Sequence, residues 1–200
     1  MSDWLGLAGQ RVLVAGGAGS LGASLVGGFL DAGAQVGVLD IDAERLAELD
    51  QRVAARYEVD LSDPEVSRDA VVRMRTELGG LDAFVHCAGI NDRRPIEEYS
   101  AADWERIVAV NLTSAFHTAT EAAVGMRAQR RGRIVFFSSV AGRSGHKHHG
   151  PYAATKGAIN QLMRVIAHEY AECGVTANAV APGYMDTALT RHYLAAHPDT

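Results

Sequence analysis

The sequence predicts a doubly wound α/β fold, a parallel sheet packed between two layers of helices. Three observations predict it. A β-branched run, Arg11-Val-Leu-Val-Ala15, enters a glycine-rich turn, Gly16-Gly-Ala-Gly-Ser-Leu-Gly22, and then a helical pattern to Leu30. Near-continuous apolar strands alternate with helical runs along the chain, the order that gives right-handed crossovers between parallel strands. No linker, internal repeat or low-complexity segment divides the 200 residues, so a single domain over 1–200 is expected.

The first strand, turn and helix stand in the order a phosphate site requires. Glycines let the backbone approach a pyrophosphate, whose charge the amides and helix N-terminus then stabilise; a plain tight turn is the simpler reading. No Gly-Lys-Ser/Thr closes the loop, so a triphosphate-hydrolysing site loses its main support. The second strand, Gln35-Val-Gly-Val-Leu39, ends in Asp40. An acid there accepts hydrogen bonds from the adenosine ribose and repels a 2′-phosphate, which argues for NAD over NADP. Ile41 and Asp42 follow, not a basic residue, and Asp42 suits helix capping better than Asp40.

A helix over about 43–54 leads to a third strand, 56–60, whose Asp60 either meets the adenine amino group or caps the turn before Asp63-Pro64. A helix over about 64–78 feeds a fourth strand within 81–89. A long helical region over about 101–129 carries Asn111 in an otherwise apolar stretch, where its amide must find partners in the core or at a site. The fifth strand, 133–139, precedes a long helix to about Glu172 and a sixth strand, 175–180. The loop 181–187 then lies at a carboxyl end, where open parallel sheets of this Rossmann type bind ligands.

Composition narrows the function. The net charge of -5 and pI near 5.9 give no support to a nucleic-acid partner, and the arginines of 127–133 read as a solvated helix end. Cys87 and Cys173 form neither a disulfide framework nor a zinc spacing and fit a reducing compartment. No basic segment and apolar core mark a secretory signal, and glycines interrupt the uncharged run from Val12 to Leu30. A cytoplasmic protein without a membrane partner is expected. His146, His148 and His149 invite a metal reading, but a lysine sits among them and no acidic ligand adjoins them, so no metal is expected.

The chemistry concentrates between Ser139 and Lys156. Tyr152 and Lys156, four residues apart before an apolar-periodic run, share one helix face. An ammonium near a phenol favours the phenolate and brings a tyrosine of ordinary pKa about 10 towards use as a base. Ser139 ends the fifth strand and is placed to hydrogen-bond the same substrate oxygen. Taken alone, Tyr-x-x-x-Lys arises by chance; its value lies in its setting.

In that setting the chain resembles the short-chain dehydrogenase/reductase family along essentially its whole length. The family's glycine turn is similar to Ala15-Gly16-x-x-x-Ser20-x-Gly22 and its Asn-Asn-Ala-Gly segment to His86-Cys87-Ala88-Gly89. Its helix asparagine matches Asn111, its catalytic set Ser139, Tyr152 and Lys156, and its Pro-Gly with a later threonine Pro182, Gly183 and Thr187. The resemblance implies that Tyr152 exchanges a proton with the substrate oxygen while hydride passes to or from nicotinamide. Lys156 would lower the tyrosine pKa and bind the nicotinamide ribose, Ser139 would hold the substrate oxygen, and Asn111 would position a proton-relaying water. The dinucleotide would be held by Gly16, Gly19, Ser20, Leu21, Gly22, Asp40, Asp60, Leu61, Ala88, Gly89, Tyr152, Lys156, Pro182, Gly183, Met185 and Thr187.

Three departures stand out. Ser20 replaces a turn glycine, and His86 and Cys87 replace two asparagines, so local hydrogen bonding must differ. Family members continue through another helix and a seventh strand, which is expected to be lacking here, leaving the sixth strand as an edge. The segment Gly89-Ile-Asn-Asp-Arg-Arg-Pro95 is similar to that of sugar-acid members of the gluconate and deoxygluconate dehydrogenase type, where Arg93 or Arg94 either meets a carboxylate or is simply solvated. The expected function is hydride transfer between NAD(H) and a secondary alcohol or ketone, with a 3-oxoacyl reductase or a non-catalytic NAD-binding protein as alternatives. The small-molecule partner would be a sugar acid or polyol, and the full-length parent a homo-oligomer, tetramer or dimer.

Overall fold

Strand β1 (Arg11–Ala15) occupies the middle of the sheet. In the computed structural model, which describes residues 5–185, six parallel strands run in the order β3-β2-β1-β4-β5-β6. β2 spans Gln35–Asp40, β3 Ala55–Glu58, β4 Ala83–His86, β5 Gly132–Phe137 and β6 Val175–Val180. Among the described residues β6 is an edge and no seventh strand follows it. The order reverses between β1 and β4, which opens a crevice at their carboxyl ends. The registers Ala15↔Leu39 and Ala15↔His86 bring Gly16, Asp40 and Cys87 to that edge together.

Helices α1 (Ser20–Asp31) and α2 (Ala43–Glu48) cover one face; α3 (Pro64–Glu77), α5 (Ser114–Gln129) and α6 (Gly150–Tyr170) cover the other. The fold is therefore the three-layer doubly wound sheet that the sequence predicts. Because both faces are buried, β1 is apolar from Val12 to Ala15. Val12 and Val14 join Val26, Leu30 and Val38 on one side, while Leu13 and Ala15 join Met74, Phe84 and Ala119 on the other.

Local side-chain chemistry sets the helix starts. Asp42 accepts from the Arg45 amide and caps α2; Asp63 caps α3, with Pro64 in its first turn. Ser100 and Asp103 form a reciprocal capping box at α4 (Ala101–Val108). Two expectations are corrected. α2 stops at Glu48 rather than near 54, because the Asp50 carboxylate accepts from the Arg52 amide at 2.9 Å and draws the chain into a turn. The helix expected over 101–129 is interrupted by a π-helical turn, Ala109–Thr113, which holds Asn111.

At the opposite, amino-terminal edge sits Asp82, 5% exposed. Its carboxylate accepts from the Arg11 amide at 3.0 Å, from Arg11 Nε at 2.7 Å and from the Arg131 guanidinium at 2.8 Å. It thereby ties together the starts of β1, β4 and β5. Hydrogen bonding to Arg11 pulls the Asp82 pKa down to about 2 against burial.

Candidate active site

The carboxyl ends of the strands surround a cavity of about 440 Å³. Gly16, Gly19, Ser20, Leu21 and Gly22 form one wall; Ser139, Tyr152 and Lys156 form another, with Gly89, Pro182, Gly183 and Met185 between. Thr187 lies outside the described residues. Arg45, Cys87, Phe137 and Ser138 also line the cavity and were not among the residues expected there. Arg45 lies one turn into α2, too far from Asp40 in sequence for a rule about its immediate neighbours to find it.

The glycine turn has the shape of a cradle. Gly16 has φ +77, and a Cβ on it would lie 2.5 Å from the Ala88 nitrogen; a Cβ on Gly22 would lie 2.1 Å from the Gly16 oxygen. Only glycine fits at either place; the Gly16 and Gly17 amides donate to the Leu39 carbonyl and the Ala18 amide to Asp40, so an anion at the start of α1 would meet the amides from Gly19 onward. Ser20 departs from the family pattern at no cost, since it is exposed at the first helical position. Asp40 supports the same turn: Oδ2 accepts from the Ala18 amide at 2.9 Å and Oδ1 from the Asp42 amide at 3.2 Å. A dinucleotide phosphate therefore fits the residues present.

Other expected dinucleotide contacts stand back from the cavity. The exposed Asp60 accepts from the Ser62 amide at 2.9 Å and hydroxyl at 2.7 Å, which makes it a turn residue. The Leu61 side chain belongs to the core beside α3, and the Ala88 amide donates to the Ala15 carbonyl at 3.1 Å.

The catalytic candidates converge on α6 and its surroundings. Lys156 is 4% exposed, and its Nζ donates to the Phe137 carbonyl at 2.7 Å. The opening above Gly89 keeps that ammonium within reach of the cavity, since a Cβ there would come within 3.4 Å of Nζ. Burial lowers the Lys156 pKa to about 8, so the side chain is largely charged at neutral pH and loses its charge above that value. Tyr152 departs from expectation. Burial raises its pKa, with the Ser139 hydrogen bond and the Arg93 charge pulling the other way. Lys156 Nζ, engaged by Phe137 and 5.6 Å from the tyrosine ring centroid, is not what governs the phenol in the protein's own field.

Asn111 is fully buried and its amide is fully used. Oδ1 accepts from the Ile90 amide at 2.8 Å, while Nδ2 donates to the Ile90 carbonyl at 2.9 Å and to Thr155 Oγ1 at 3.2 Å. Thr155 in turn donates to the Tyr152 carbonyl at 2.8 Å. The side chain therefore fixes the strand exit to the Tyr152 helix, and a water relay at this residue must use an atom other than Nδ2. The π turn is the local distortion that aims it inward.

His86 shows how the departure from asparagine is accommodated. Ser114 Oγ donates to the Val110 carbonyl at 2.6 Å, which leaves it to accept from His86 Nε2 at 2.9 Å. Burial, reinforced by the Lys156 charge, drives the His86 pKa from 6.5 down to about 3. A base held neutral in the fold but protonated in the unfolded chain stabilises fully above pH 6.5 and progressively less below it. Wild type should lose about 1.4 kcal/mol per pH unit from this group between pH 6.5 and 3. Urea unfolding of His86→Asn across that range should show a shallower slope; parallel slopes would assign the acid sensitivity elsewhere.

Among the described residues no helix is long and apolar enough to cross a membrane, and no group of three or more His, Cys, Asp or Glu is placed to hold a metal ion. The His149 Nδ1 is engaged by the Lys147 carbonyl at 2.7 Å, and its ring lies 6.0 Å from that of Tyr152.

Compared with known proteins, residues 10–197 match the model of the short chain dehydrogenase family. Gluconate 5-dehydrogenase of Gluconobacter oxydans (strain 621H) is 31% identical over 199 residues, covering 96% of this chain and 78% of that one. A crystal structure of a gluconate 5-dehydrogenase from Burkholderia cenocepacia J2315, in complex with NADP and tartrate, has a TM-score of 0.87 at 32% identity, covering 92% of this chain and 75% of that one. An NAD+-bound xylitol dehydrogenase has a TM-score of 0.87 at 29% identity, covering 91% and 73%. With the glycine cradle and the Ser139, Tyr152 and Lys156 walls in one cavity, and the family match across nearly all of its length, the chain belongs to the short chain dehydrogenases.

Proposed function

We propose that the chain is an NAD(H)-dependent oxidoreductase acting on a secondary alcohol or ketone of the sugar-acid or polyol class, residues 1–200 serving as one catalytic domain. The observation that carries this reading is a single cavity with an anion cradle at one wall and Ser139, Tyr152 and Lys156 at another. The names of similar proteins support the substrate class: one relative acts on gluconate, and one solved structure is a xylitol dehydrogenase.

A bound nicotinamide supplies the hydride acceptor or donor. The chain's own residues handle the oxygen and its proton. Tyr152 Oη gives the proton to a ketone oxygen or takes it from the alcohol, and Ser139 Oγ hydrogen-bonds that oxygen as charge develops on it. Lys156, charged below about pH 8, adds positive potential and a donor beside the same wall. Asn111 holds the Tyr152 helix in register through Thr155. Gly16, Gly19, Ser20, Leu21 and Gly22 receive the pyrophosphate, and Asp40 receives the ribose. Two free cysteines agree with a cytoplasmic setting, and exposed Phe116 and Val124 on α5 with Val165 on α6 agree with a homo-oligomer.

Arg45 favours a second reading for the cofactor. It lines the cavity and is half-exposed in its pair with Asp42 at 3.2 Å, so it is placed to meet a 2′-phosphate. Following reduced nicotinamide absorbance with NAD and NADP in parallel decides between them. NAD should be preferred, and Asp40→Asn, which removes the charge and keeps an acceptor, should raise the NADP-to-NAD ratio of kcat/KM about tenfold. A wild-type preference for NADP that Arg45→Ala abolishes would transfer the discriminating role to Arg45.

A further inference from the structure

His86, at the carboxyl end of β4, is a buried polar side chain that does not itself line the cavity. Its Nε2 lies 2.9 Å from the hydroxyl of Ser114, at the exit of the π turn, and the turn explains why a donor is needed there. The Ser114 amide donates to the Ala109 carbonyl, five residues back, where an α-helix would give it to the Val110 carbonyl four back. The Val110 carbonyl is met instead by the Ser114 hydroxyl at 2.6 Å. A hydroxyl has one proton, so Ser114 Oγ can only accept from its other side, and His86 supplies that donor.

Two cross-links then close a ring. One is His86 to Ser114; the other is Asn111, whose side chain holds both the amide and the carbonyl of Ile90, at 2.8 and 2.9 Å. His86 and Ile90 lie on the same strand exit, so the π turn is pinned at two points to the segment that carries Gly89 into the cavity wall. From the turn, Asn111 Nδ2 reaches Thr155, and Thr155 reaches the Tyr152 carbonyl. The donor must also be uncharged, because the Lys156 ammonium bears on His86 in the same buried space and opposes a second cation.

We infer that His86 is a positioning residue for proton exchange: by donating to Ser114 it holds the π turn and, through Asn111 and Thr155, the turn of α6 that carries Tyr152. The inference rests on the oxidoreductase reading and extends it to a residue that touches neither substrate nor dinucleotide. Without that donor the Ser114 hydroxyl is free to turn away from Val110, and the π turn keeps only one of its two pins. Tyr152 then loses its register with Ser139, which arrives from β5 and does not move with α6. Such a misplacement lowers the rate of the reacting step and leaves the glycine cradle as it is.

The test measures kcat, KM and NADH affinity on the full chain in His86→Leu, His86→Gln and Ser114→Ala, with gluconate and xylitol as substrates and thermal melting to fix the folded fraction. Glutamine carries a neutral donor at the depth of Nε2; leucine carries none. His86→Leu and Ser114→Ala should each lower kcat about 10- to 100-fold with KM and NADH affinity kept, and His86→Gln should recover most of the loss. The double variant should lose no more than the larger single loss, since both substitutions break one contact. Val85→Ala, which opens a core cavity on the same strand, should lower the melting temperature and leave kcat of the folded enzyme unchanged. Unchanged kcat in His86→Leu, or an equal loss in Val85→Ala, overturns the proposal; if His86→Leu does not fold, Ser114→Ala decides it in the same way. Amide exchange separates this from failure of the enzymatic reading. If neither substrate turns over but the Ile90 amide exchanges faster in Ser114→Ala, relative to the amides of β1, the pin stands and the sugar-acid or polyol reading falls. If Ile90 exchange ignores the substitution, the pin falls too.

Discussion

Tyr152→Phe is expected to lower kcat by about 10²–10⁴-fold, the usual span for a lost general acid or base, with dinucleotide affinity kept. The substitution leaves the ring in its place against His149 and removes only the oxygen that carries the proton. Stopped-flow or steady-state turnover, together with fluorescence titration of NADH, measures the two effects separately. Turnover that survives would remove Tyr152 from the chemistry, and loss of both properties would point to damaged packing. A raised phenol pKa has a further consequence with a definite sign. At neutral pH Tyr152 is protonated and ready to give a proton, so ketone reduction should proceed there, whereas alcohol oxidation should accelerate as pH rises.

The largest effect on stability is expected from Asp82→Ala. Removing one member of a buried ion pair costs about 3–5 kcal/mol, a large part of the roughly 5–15 kcal/mol that holds a domain folded. The carboxylate is 5% exposed and answers two arginines and a backbone amide. Its depressed pKa also fixes the pH window. The contribution is whole above 3.8 and disappears as pH falls through about 2. Denaturant unfolding at neutral pH measures the cost, and a loss below about 1 kcal/mol would mean that water replaces the clamp. Because Asp82 lies at the edge away from the cavity, the folded fraction of the variant should retain its dinucleotide site.

Much of the fold was legible because two-sided burial writes itself plainly. β1 and β6 appear in the sequence with the bounds they have in the structure, as runs dominated by apolar and small residues. Asp42 announced its helix because a cap needs one acceptor at one position. The π turn at Asn111 was not legible, since one extra residue shifts a helical period by less than side-chain choice obscures. Its trace was the polar residue inside an apolar stretch. Asp60 allowed two readings, and its hydrogen bonds from the Ser62 amide and hydroxyl favour the turn.

The site was legible where the reacting groups share a helix, as Tyr152 and Lys156 do, and obscure where walls arrive from separate loops. Arg45 reaches the cavity from α2, and a smaller recess beside Tyr152 joins residues of three loops, around 91–93, 146–149 and 184. The sign of the Tyr152 shift was missed for a related reason. Spacing shows which charges are near, whereas burial depends on everything packed around the ring.

The place of β1 in the sheet also bears on how the chain is made. Its pairing with β2 can form soon after β2 leaves the ribosome, but its other edge waits for β4, where Val12 meets Ala83. At about 5–20 residues per second, the most apolar strand presents an open ladder for roughly 3–14 s of synthesis. During that interval an incomplete chain can pair with a copy of itself, a hazard that ends when Asp82 emerges to bind Arg11. Slow codons or scarce chaperones would therefore reduce yield most if they act between residues 40 and 82.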